Sequence, residues 1–267
     1  MPDTTTPPSS SGGDRERRVS DIAADYAANG YTVIRGFADA ATCREQLEAA
    51  VELSRADDDT KYVIAEGNPA ADASNPEDFV AKLFKLHRRR PFDRFAHDDR
   101  LLEILTTIIG PDVDVFLSQF IFKAPEAYGQ PWHQDSYYFP FEASHQVGVW
   151  LAVTRATLEN GCLWVVPGTH QEAIYEHVPD DRPHATQAYT KIVDRDMSTA
   201  VPMLMDPGDL LLFDSHVIHS STDNESTELR AAFVCHYGTA GIADHVPPGV
   251  NVFDGAPVVR HGEHVPA

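Results

Sequence analysis

The 267-residue sequence predicts a mainly β protein in which a helical N-terminal part precedes an antiparallel sandwich or barrel. Before Gly110, apolar side chains recur every three or four residues, as they do in amphipathic helices. From Val113 onward, short β-branched and aromatic runs follow one another, separated by Pro, Gly and Asn turns. Because consecutive strands without intervening helices pair antiparallel, this pattern argues against a parallel α/β sheet.

Composition and charge exclude several classes of function. The chain has 21 Lys and Arg against 41 Asp and Glu, which gives a formal charge of −20. Since so acidic a surface repels nucleic-acid backbones and anionic lipids, we expect neither nucleic acid nor a membrane as a partner. No apolar run approaches the roughly 18 residues of a membrane-spanning helix, and the start of the chain lacks an apolar secretory signal. With three widely spaced cysteines, these features predict a cytoplasmic protein.

The first element of the predicted fold is a disordered tail. Residues 1–18 are rich in Pro, Ser, Thr and Gly and show no apolar periodicity, so burial cannot offset the entropy of ordering them. Ser20 is a suitable N-cap for a first helix, and Gly30 is a suitable stop. The remaining residues, 19–267, are predicted to form a single domain.

The elements that follow are assigned from residue type and spacing. The β-branched stretch 31–35 predicts a strand, and a second helix is predicted from about Ala40. Residues 76–110 are predicted to be helical again, because Phe79, Leu83 and His87 recur every four residues. The helical part therefore extends to about residue 110.

The core of the domain is predicted over about residues 113–240. Two longer segments, 171–200 and 240–267, are rich in Pro, Gly, His and charged residues and are lid candidates. The predicted strands cover residues 113–123, 145–153, 161–166, 209–213, 217–221 and 229–237.

The tetrapeptide 132–135, Trp-His-Gln-Asp, is the most informative short motif. On an extended strand, His133 and Asp135 share one face, and together they supply two of the three ligands of a 2-His-1-carboxylate metal site. A histidine and an aspartate that merely hydrogen-bond in a core give the same pattern. A third ligand is offered by His216 or His219, which face opposite ways on a regular strand. We predict His219, because it shares its face with Ser221, and we expect His216 to be packed or solvent-facing.

Several motifs in a fixed order together resemble the phytanoyl-CoA dioxygenase (PhyH-like) family, over roughly residues 19–240. The motifs are Trp132-His-Gln-Asp135, Val149-Trp150-Leu-Ala-Val, Glu159-Asn-Gly-Cys-Leu163, Val166-Pro-Gly-Thr-His170, Pro207-Gly-Asp-Leu210 and His219-Ser-Ser221 followed by Arg230. The resemblance implies a double-stranded β-helix, or cupin-like jelly roll, that holds Fe(II) and 2-oxoglutarate at its mouth.

The resemblance also implies roles for individual residues. His133, Asp135 and His219 become the iron ligands. Arg230 becomes the partner of the far carboxylate of 2-oxoglutarate, a role that suits a permanently charged guanidinium fork. The resemblance further implies that Ser221 assists Arg230, and that Trp150 and Gln119 are weaker cosubstrate contacts. No catalytic residue beyond the metal centre is indicated.

The implied activity is that of an Fe(II)/2-oxoglutarate-dependent dioxygenase. Such an enzyme consumes O2 and 2-oxoglutarate, releases succinate and CO2, and hydroxylates an unactivated C–H of a small molecule, here a secondary metabolite or an acyl derivative. Desaturation, epoxidation or cyclisation follow from the same chemistry when the substrate is held differently. Two other functions fit the pattern: a jelly-roll binding or regulatory protein without turnover, and a zinc hydrolase with the same ligands.

Two further features have both a functional and a structural interpretation. Tyr137 and Tyr138 follow the metal motif and either line the substrate cavity or pack against the sheet. Six basic residues form a cluster that either binds an anionic substrate group or pairs with neighbouring acids such as Asp93, Asp98 and Asp99. The basic cluster consists of Lys82, Lys85, Arg88, Arg89, Arg90 and Arg94. The sequence carries no signal for an oligomeric state.

Overall fold

The computed structural model describes residues 18–56, 62–65, 80–140, 146–182, 189–244, 246 and 252–267. Apart from residue 18, the predicted disordered tail lies outside the described residues. No helix in the described part of the chain combines the length and the apolar character that a bilayer crossing requires.

Five α-helices are present in the described residues, and their ends follow local chemistry. Helix α1 ends at Gly30, whose φ of 80° lies in the left-handed region that glycine adopts without steric cost. Asp39 caps α2 by accepting a hydrogen bond from the backbone N–H of Thr42 at 2.7 Å. The helices are α1 (Val19–Asn29), α2 (Ala40–Arg55), α3 (Phe92–Ala96), α4 (Asp99–Ile109) and α5 (Asp135–Tyr138).

The described strands form three antiparallel sheets. The main sheet has the order β1-β10-β5-β12-β4, and the free edge of β4 is shared by β13, which continues to β14, and by β3, which continues to β2. A second sheet has the order β11-β6-β9, and β7 pairs with β8. The strands are β1 (Tyr31–Ile34), β2 (Tyr62–Ala65), β3 (Val80–Phe84), β4 (Val113–Lys123), β5 (Val147–Ala152), β6 (Leu163–Val165), β7 (His177–Pro179), β8 (Thr190–Ile192), β9 (Val201–Met203), β10 (Leu210–Asp214), β11 (His219–Ser221), β12 (Arg230–Thr239), β13 (Ala256–Arg260) and β14 (Glu263–His264).

The helical prediction for residues 76–110 is wrong at its start. Residues 80–84 form β3, and Lys82 on this strand pairs with Ile121 of β4. A four-residue spacing fits a strand as well as a helix, because it is two full strand periods and nearly one helical turn. Pairing with β4 therefore decides that residues 80–84 form a strand and not a helix.

The two lid candidates also contain strands that the sequence did not indicate. Within 171–200, β7 and β8 pair, and within 240–267, β13 pairs with β4. These strands have two to five residues, so they are too short for a clear alternation of apolar and polar side chains.

The pleat of β12 directs side chains alternately to two cores. Phe233 and Tyr237 point outward to the core beneath α1, α3 and α4, whereas Ala232 and Val234 point inward to the space between the sheets. Arg230 has the same parity as the inward set. The fold thus buries this arginine between two sheets, at 2% exposure.

Candidate metal centre and its cavity

The structure brings the three predicted metal ligands together. One ring nitrogen of His133, one ring nitrogen of His219 and one carboxylate oxygen of Asp135 lie within 4.8 Å of one another. The same Oδ1 atom of Asp135 is 3.5 Å from Nε2 of His133 and 3.7 Å from Nε2 of His219. Among the described residues this is the cluster of His, Cys, Asp and Glu side chains suited to a metal ion.

Backbone pairing positions the two histidines. His133 and His219 form an isolated antiparallel bridge, in which each backbone N–H donates to the other residue's carbonyl at 2.9 and 3.0 Å. Asp135 does not continue a strand, as the predicted extended geometry required, but is the first residue of α5. The turn into α5, rather than strand alternation, brings this carboxylate beside the two rings.

Second hydrogen bonds set the tautomers of both rings. Nδ1 of His133 lies 2.7 Å from the carbonyl of Pro131, and Nδ1 of His219 lies 2.9 Å from that of Val217. A carbonyl only accepts, so each Nδ1 carries the proton and each Nε2 keeps a lone pair directed at the cluster. Metal-binding histidines have this arrangement.

Burial and charge keep His219 and Asp135 in the protonation state that metal binding requires. Burial, reinforced by the neighbouring His133, lowers the pKa of His219 to about 4. Burial alone raises the pKa of Asp135, but the surrounding histidines outweigh this effect and hold the pKa well below its ordinary value. A neutral His219 imidazole beside an ionised Asp135 carboxylate is therefore present at neutral pH.

A fourth buried side chain, His236, also contacts Asp135. Its Nε2 lies 3.0 Å from Oδ2, the carboxylate oxygen that faces away from the other two histidines. The motifs singled out in the sequence do not include this residue. Its spacing of six from Arg230 on a predicted strand was the available signal, because residues six apart share a face.

The predicted cosubstrate residues form the floor of a cavity beside the cluster. The guanidinium of Arg230 lies 5.8 Å from the ring centroid of Trp150. The indole Nε1 of Trp150 is buried and has no hydrogen-bond partner among the described residues. Gln119 of β4 lines the same cavity. The floor therefore presents donors to the cavity, as a carboxylate ligand requires.

Ser221 is oriented by two donors. Its Oγ accepts from Nζ of Lys123 at 2.8 Å and from the backbone N–H of Gln130 at 3.1 Å. Because these bonds occupy the acceptor positions, the hydroxyl proton is left to donate. Lys123 also donates to the carbonyls of Gly161 and Thr222, so it fixes the position of this hydroxyl.

The cavity has a volume of about 270 Å³ and a charge opposite to that of the whole protein. Arg230, Lys123 and Lys82 line it, against the single carboxylate of Asp135 among the described lining residues. The chain as a whole carries −20. An anion would therefore be attracted by the lysines and the arginine of the cavity at short range, and not by the net charge of the protein.

Tyr137 and Tyr138 differ in their position relative to the mouth of the cavity. Tyr138 lines the cavity, and its hydroxyl lies 2.8 Å from Oγ1 of Thr190. Tyr137 is 43% exposed, stacks on His177 at 4.0 Å and is not among the described lining residues. Of the two tyrosines, the structure brings only Tyr138 to the cavity.

The lid candidate 171–200 supplies part of one wall. Tyr189 lines the cavity beneath Lys82, whose Nζ lies 5.2 Å from the ring centroid. The backbone N–H of Ile192 donates to the carbonyl of Trp132 at 2.8 Å. This segment therefore contacts the metal motif directly, although closure over the site stays a prediction.

The basic cluster does not act as one unit. Lys82 lines the cavity and donates to Gln130 at 3.0 Å. By contrast, Arg88 pairs with Asp254 at 2.9 Å, Arg90 pairs with Asp93 at 3.1 Å, and Arg94 pairs with Glu45. One member of the cluster faces the cavity, and these three arginines are held by acids.

His216, the alternative third ligand, lies elsewhere. It lines a groove on the opposite side of β10, together with Tyr26 of α1. The structure thus places His219 beside His133 and Asp135, and its assignment as the third ligand stays a prediction.

Comparison with known proteins decides the family. The profile of the family described as "Phytanoyl-CoA dioxygenase (PhyH)" matches residues 26–232, well over half of the chain. The chain belongs to the PhyH family. The predicted resemblance is confirmed.

Relatives of the PhyH chain cover it only in part. Peroxisomal phytanoyl-CoA dioxygenase of Rattus norvegicus is 30% identical over 171 residues, which is 61% of this chain and 51% of the relative. The chain therefore spans about half the length of this curated relative.

Two solved structures are similar across nearly the whole PhyH chain. EctD from S. alaskensis, described with 2-oxoglutarate and 5-hydroxyectoine, has a TM-score of 0.68 at 21% identity, with 92% of this chain and 88% of EctD covered. The epimerase SnoN, described in complex with Fe3+, alpha ketoglutarate and nogalamycin RO, has a TM-score of 0.65 at 21% identity, with 91% and 96% covered. These similarities confirm the fold class, a mainly β jelly roll with flanking N-terminal helices.

Proposed function

We propose that the protein is an Fe(II)- and 2-oxoglutarate-dependent oxygenase that hydroxylates a C–H bond of a small molecule. One observation carries the proposal: the His133–Asp135–His219 cluster lies at a cavity whose floor holds the buried Arg230. A metal site and a site for the far carboxylate of a dicarboxylate are thus adjacent. Membership of the PhyH family supports the same activity.

The cluster fits iron in ligand type and in protonation state. Two imidazole Nε2 lone pairs and one carboxylate oxygen would hold the ion and would leave other coordination positions for further ligands. When bound, Fe(II) supplies O2 activation coupled to decarboxylation of 2-oxoglutarate to succinate and CO2. The protein's own contribution is to hold these ligands in place.

The floor fits 2-oxoglutarate. The guanidinium of Arg230 binds the far carboxylate, and the hydroxyl of Ser221 donates a second hydrogen bond. The orphaned donor of Trp150 suits the same dicarboxylate, because a buried N–H without an acceptor is costly unless a ligand supplies one. Gln119 adds an amide at the cavity wall. These residues orient the cosubstrate and exclude water.

The mouth supports a substrate with an apolar, C–H-rich body. Tyr138, Phe139, Tyr189 and Phe253 line it with aromatic carbon, and Lys82 is the cation beside them. The names of the relatives span chemically unlike compounds, from phytanoyl-CoA to 5-hydroxyectoine. We therefore assign the substrate only as a small molecule whose reacting carbon lies in this apolar part of the cavity.

Anaerobic titration tests the proposal directly. The wild-type protein is expected to develop a charge-transfer absorption band only when both Fe(II) and 2-oxoglutarate are present. The Arg230→Ala variant serves as the matched control and needs far more 2-oxoglutarate to reach the same band. A protein that binds iron but gives no band with 2-oxoglutarate contradicts the assignment.

A second measurement separates the remaining functions. Succinate release, screened across candidate substrates in air, rises when the true substrate is coupled to turnover. A zinc hydrolase instead shows zinc-dependent hydrolysis without succinate, and a binding protein shows neither. Arg230 has no task in a hydrolase, so a fully active Arg230→Ala hydrolase favours that alternative.

A further inference from the structure

His236 is a buried polar residue on the inner face of β12 that the proposed cosubstrate floor does not use. It is 3% exposed and lines the same cavity as the metal cluster. Its ring is packed by Phe139, Phe213 and Phe116, with centroid distances of 5.3, 6.2 and 6.1 Å. An aromatic cage of this kind fixes the ring plane. His236 therefore has one orientation, imposed by packing.

The contacts of Asp135 divide its two oxygens between different partners. Oδ1 is the atom near Nε2 of His133 and of His219, at 3.5 and 3.7 Å. Oδ2 is 3.0 Å from Nε2 of His236. The metal cluster thus uses one oxygen, and His236 holds the other.

The tautomer of His236 is opposite to that of the two predicted ligands. A carboxylate accepts, so Nε2 of His236 carries the proton, whereas Nε2 of His133 and of His219 is bare. Nδ1 of His236 is buried and has no hydrogen-bond partner in the part of the chain that the structure describes. The ring of His236 is therefore held by the hydrogen bond from its Nε2 to Asp135 and by the packing of the aromatic side chains around it. His236 is thus arranged as a donor to the ligand, not as a ligand.

We propose that His236 is a positioning residue that keeps Asp135 a one-oxygen ligand, so that Oδ2 stays off the metal. A carboxylate that is free to rotate can chelate with both oxygens and occupy a second position. An oxygenase needs that position for 2-oxoglutarate or O2, so this inference rests on the proposed function. The metal-binding part of the inference stands without it.

Metal affinity tests the inference with Co(II) as the probe. In the His236→Phe variant, which keeps the ring volume and loses the donor, Co(II) affinity is expected to fall about 10- to 100-fold. His236→Gln restores an N–H donor and is expected to recover most of that loss. The visible Co(II) bands are expected to shift in the Phe variant and to return toward the wild-type positions in the Gln variant.

His216→Gln is the matched control, because this histidine is three residues from His219 but lies in a different groove. It is expected to bind Co(II) with wild-type affinity and spectrum. A His236→Phe protein with both unchanged overturns the inference. So does a His236→Gln protein that is as impaired as His236→Phe, because bulk and not the donor is then the cause.

Nitrogen NMR of the wild-type protein gives a test that needs no variant to fold. In 15N-histidine-labelled, Zn(II)-loaded protein, His236 is expected to retain its Nε2 proton, while the Nε2 atoms of His133 and His219 shift as metal ligands. An Nε2 of His236 that has lost its proton to the metal overturns the proposal. Neither experiment uses 2-oxoglutarate or O2, so a missing charge-transfer band rejects the oxygenase function and leaves this inference to its own result.

Discussion

The floor and the mouth of the cavity are built from different kinds of structure. At the floor, Arg230, Trp150 and Lys123 stand on paired strands of the main sheet, and Ser221 stands on β11 of the sheet that faces it. Trp150 is paired with Leu211 on one side and Val234 on the other, and Arg230 pairs with Lys123, so strand register sets their positions. The positions of the floor residues therefore follow from strand pairing.

The mouth is held by contacts between separate segments. Tyr138 lies on the short α5, Tyr189 precedes β8, and Phe253 lies in the C-terminal segment. Phe253 is fixed through the next residue, because the carboxylate of Asp254 accepts two hydrogen bonds from Arg88, at 2.9 and 3.2 Å. Loop segments of this kind change with less cost to the fold than paired strands. In the proposed function, the paired strands of the floor hold the cosubstrate and the separate segments of the mouth contact the substrate.

The largest effect is expected at the metal cluster. Asp135→Ala removes one of three ligands, and metal catalysis is worth several kcal/mol, so succinate release is expected to fall by roughly a thousandfold or more. His216→Ala is the control and is expected to retain wild-type turnover. An Asp135→Ala enzyme that still releases succinate at a tenth of the wild-type rate contradicts the assignment of this ligand.

A smaller effect is expected when the floor loses its arginine. Arg230→Ala removes one partner of a buried charge pair, a change that costs about 2–5 kcal/mol, so the KM for 2-oxoglutarate is expected to rise roughly 30-fold or more. Arg230→Lys keeps the positive charge but loses the two parallel N–H donors of the guanidinium. Its KM for 2-oxoglutarate is expected to lie between those of the wild type and the alanine variant. The dependence of succinate release on 2-oxoglutarate measures both. An unchanged KM in the alanine variant removes Arg230 from the cosubstrate site.

Lys123 is expected to act on 2-oxoglutarate through Ser221. Lys123→Met removes the charged donor to Ser221 Oγ, and charged hydrogen bonds contribute about 1.5–3 kcal/mol, so a KM increase of about tenfold is expected. Adding Ser221→Ala is expected to change the KM little further. Full additivity of the two changes in a double-mutant cycle contradicts this shared role.

The wall beside the mouth is expected to be sensitive to acid. Burial lowers the pKa of His87 from 6.5 to about 4, and the nearby Asp254 offsets only part of this effect. As the pH falls, the unfolded chain protonates His87 before the folded chain does. The contribution of neutral His87 to the free energy of unfolding is therefore fully present above pH 6.5 and is lost as the pH falls toward 4, by at most roughly 3 kcal/mol. Urea unfolding at several pH values measures the decline, which is expected to be shallower in His87→Gln. Parallel profiles for the two proteins contradict the prediction.

The smallest effect on the cosubstrate is expected from the mouth. Phe253→Ala opens the wall without touching a strand of the floor, so the Kd for 2-oxoglutarate is expected to stay within about twofold of wild type. Substrate dependence, measured as coupled succinate release, is expected to change instead. A large loss of 2-oxoglutarate affinity in this variant erases the distinction between floor and mouth.

Prediction from the sequence succeeded where chemistry and spacing coincide. Strand β4 occupies the predicted range, Val113–Lys123, because its β-branched and aromatic run is long enough to show its period. Strand β3 failed, because the spacing of Leu83 and His87 fits either element and the edge of β4 decided between them. The choice of His219 over His216 stays a prediction: His219 lies on β11 beside His133 and Asp135, whereas His216 lies in the turn before β11 and lines another groove.

The amino-acid sequence alone indicated the family, the antiparallel jelly roll, and the residue types and order of the predicted metal ligands and cosubstrate residues. Packing in three dimensions sets how Asp135 reaches the cluster, that His236 holds its second oxygen, that Lys82 is the member of the basic cluster that lines the cavity, and which tyrosine lines it. The physical reason is that strand parity and motif order act over a few residues. Contacts such as that between Asp135 and His236 join residues a hundred positions apart, and only the packed sheets bring them within hydrogen-bond distance.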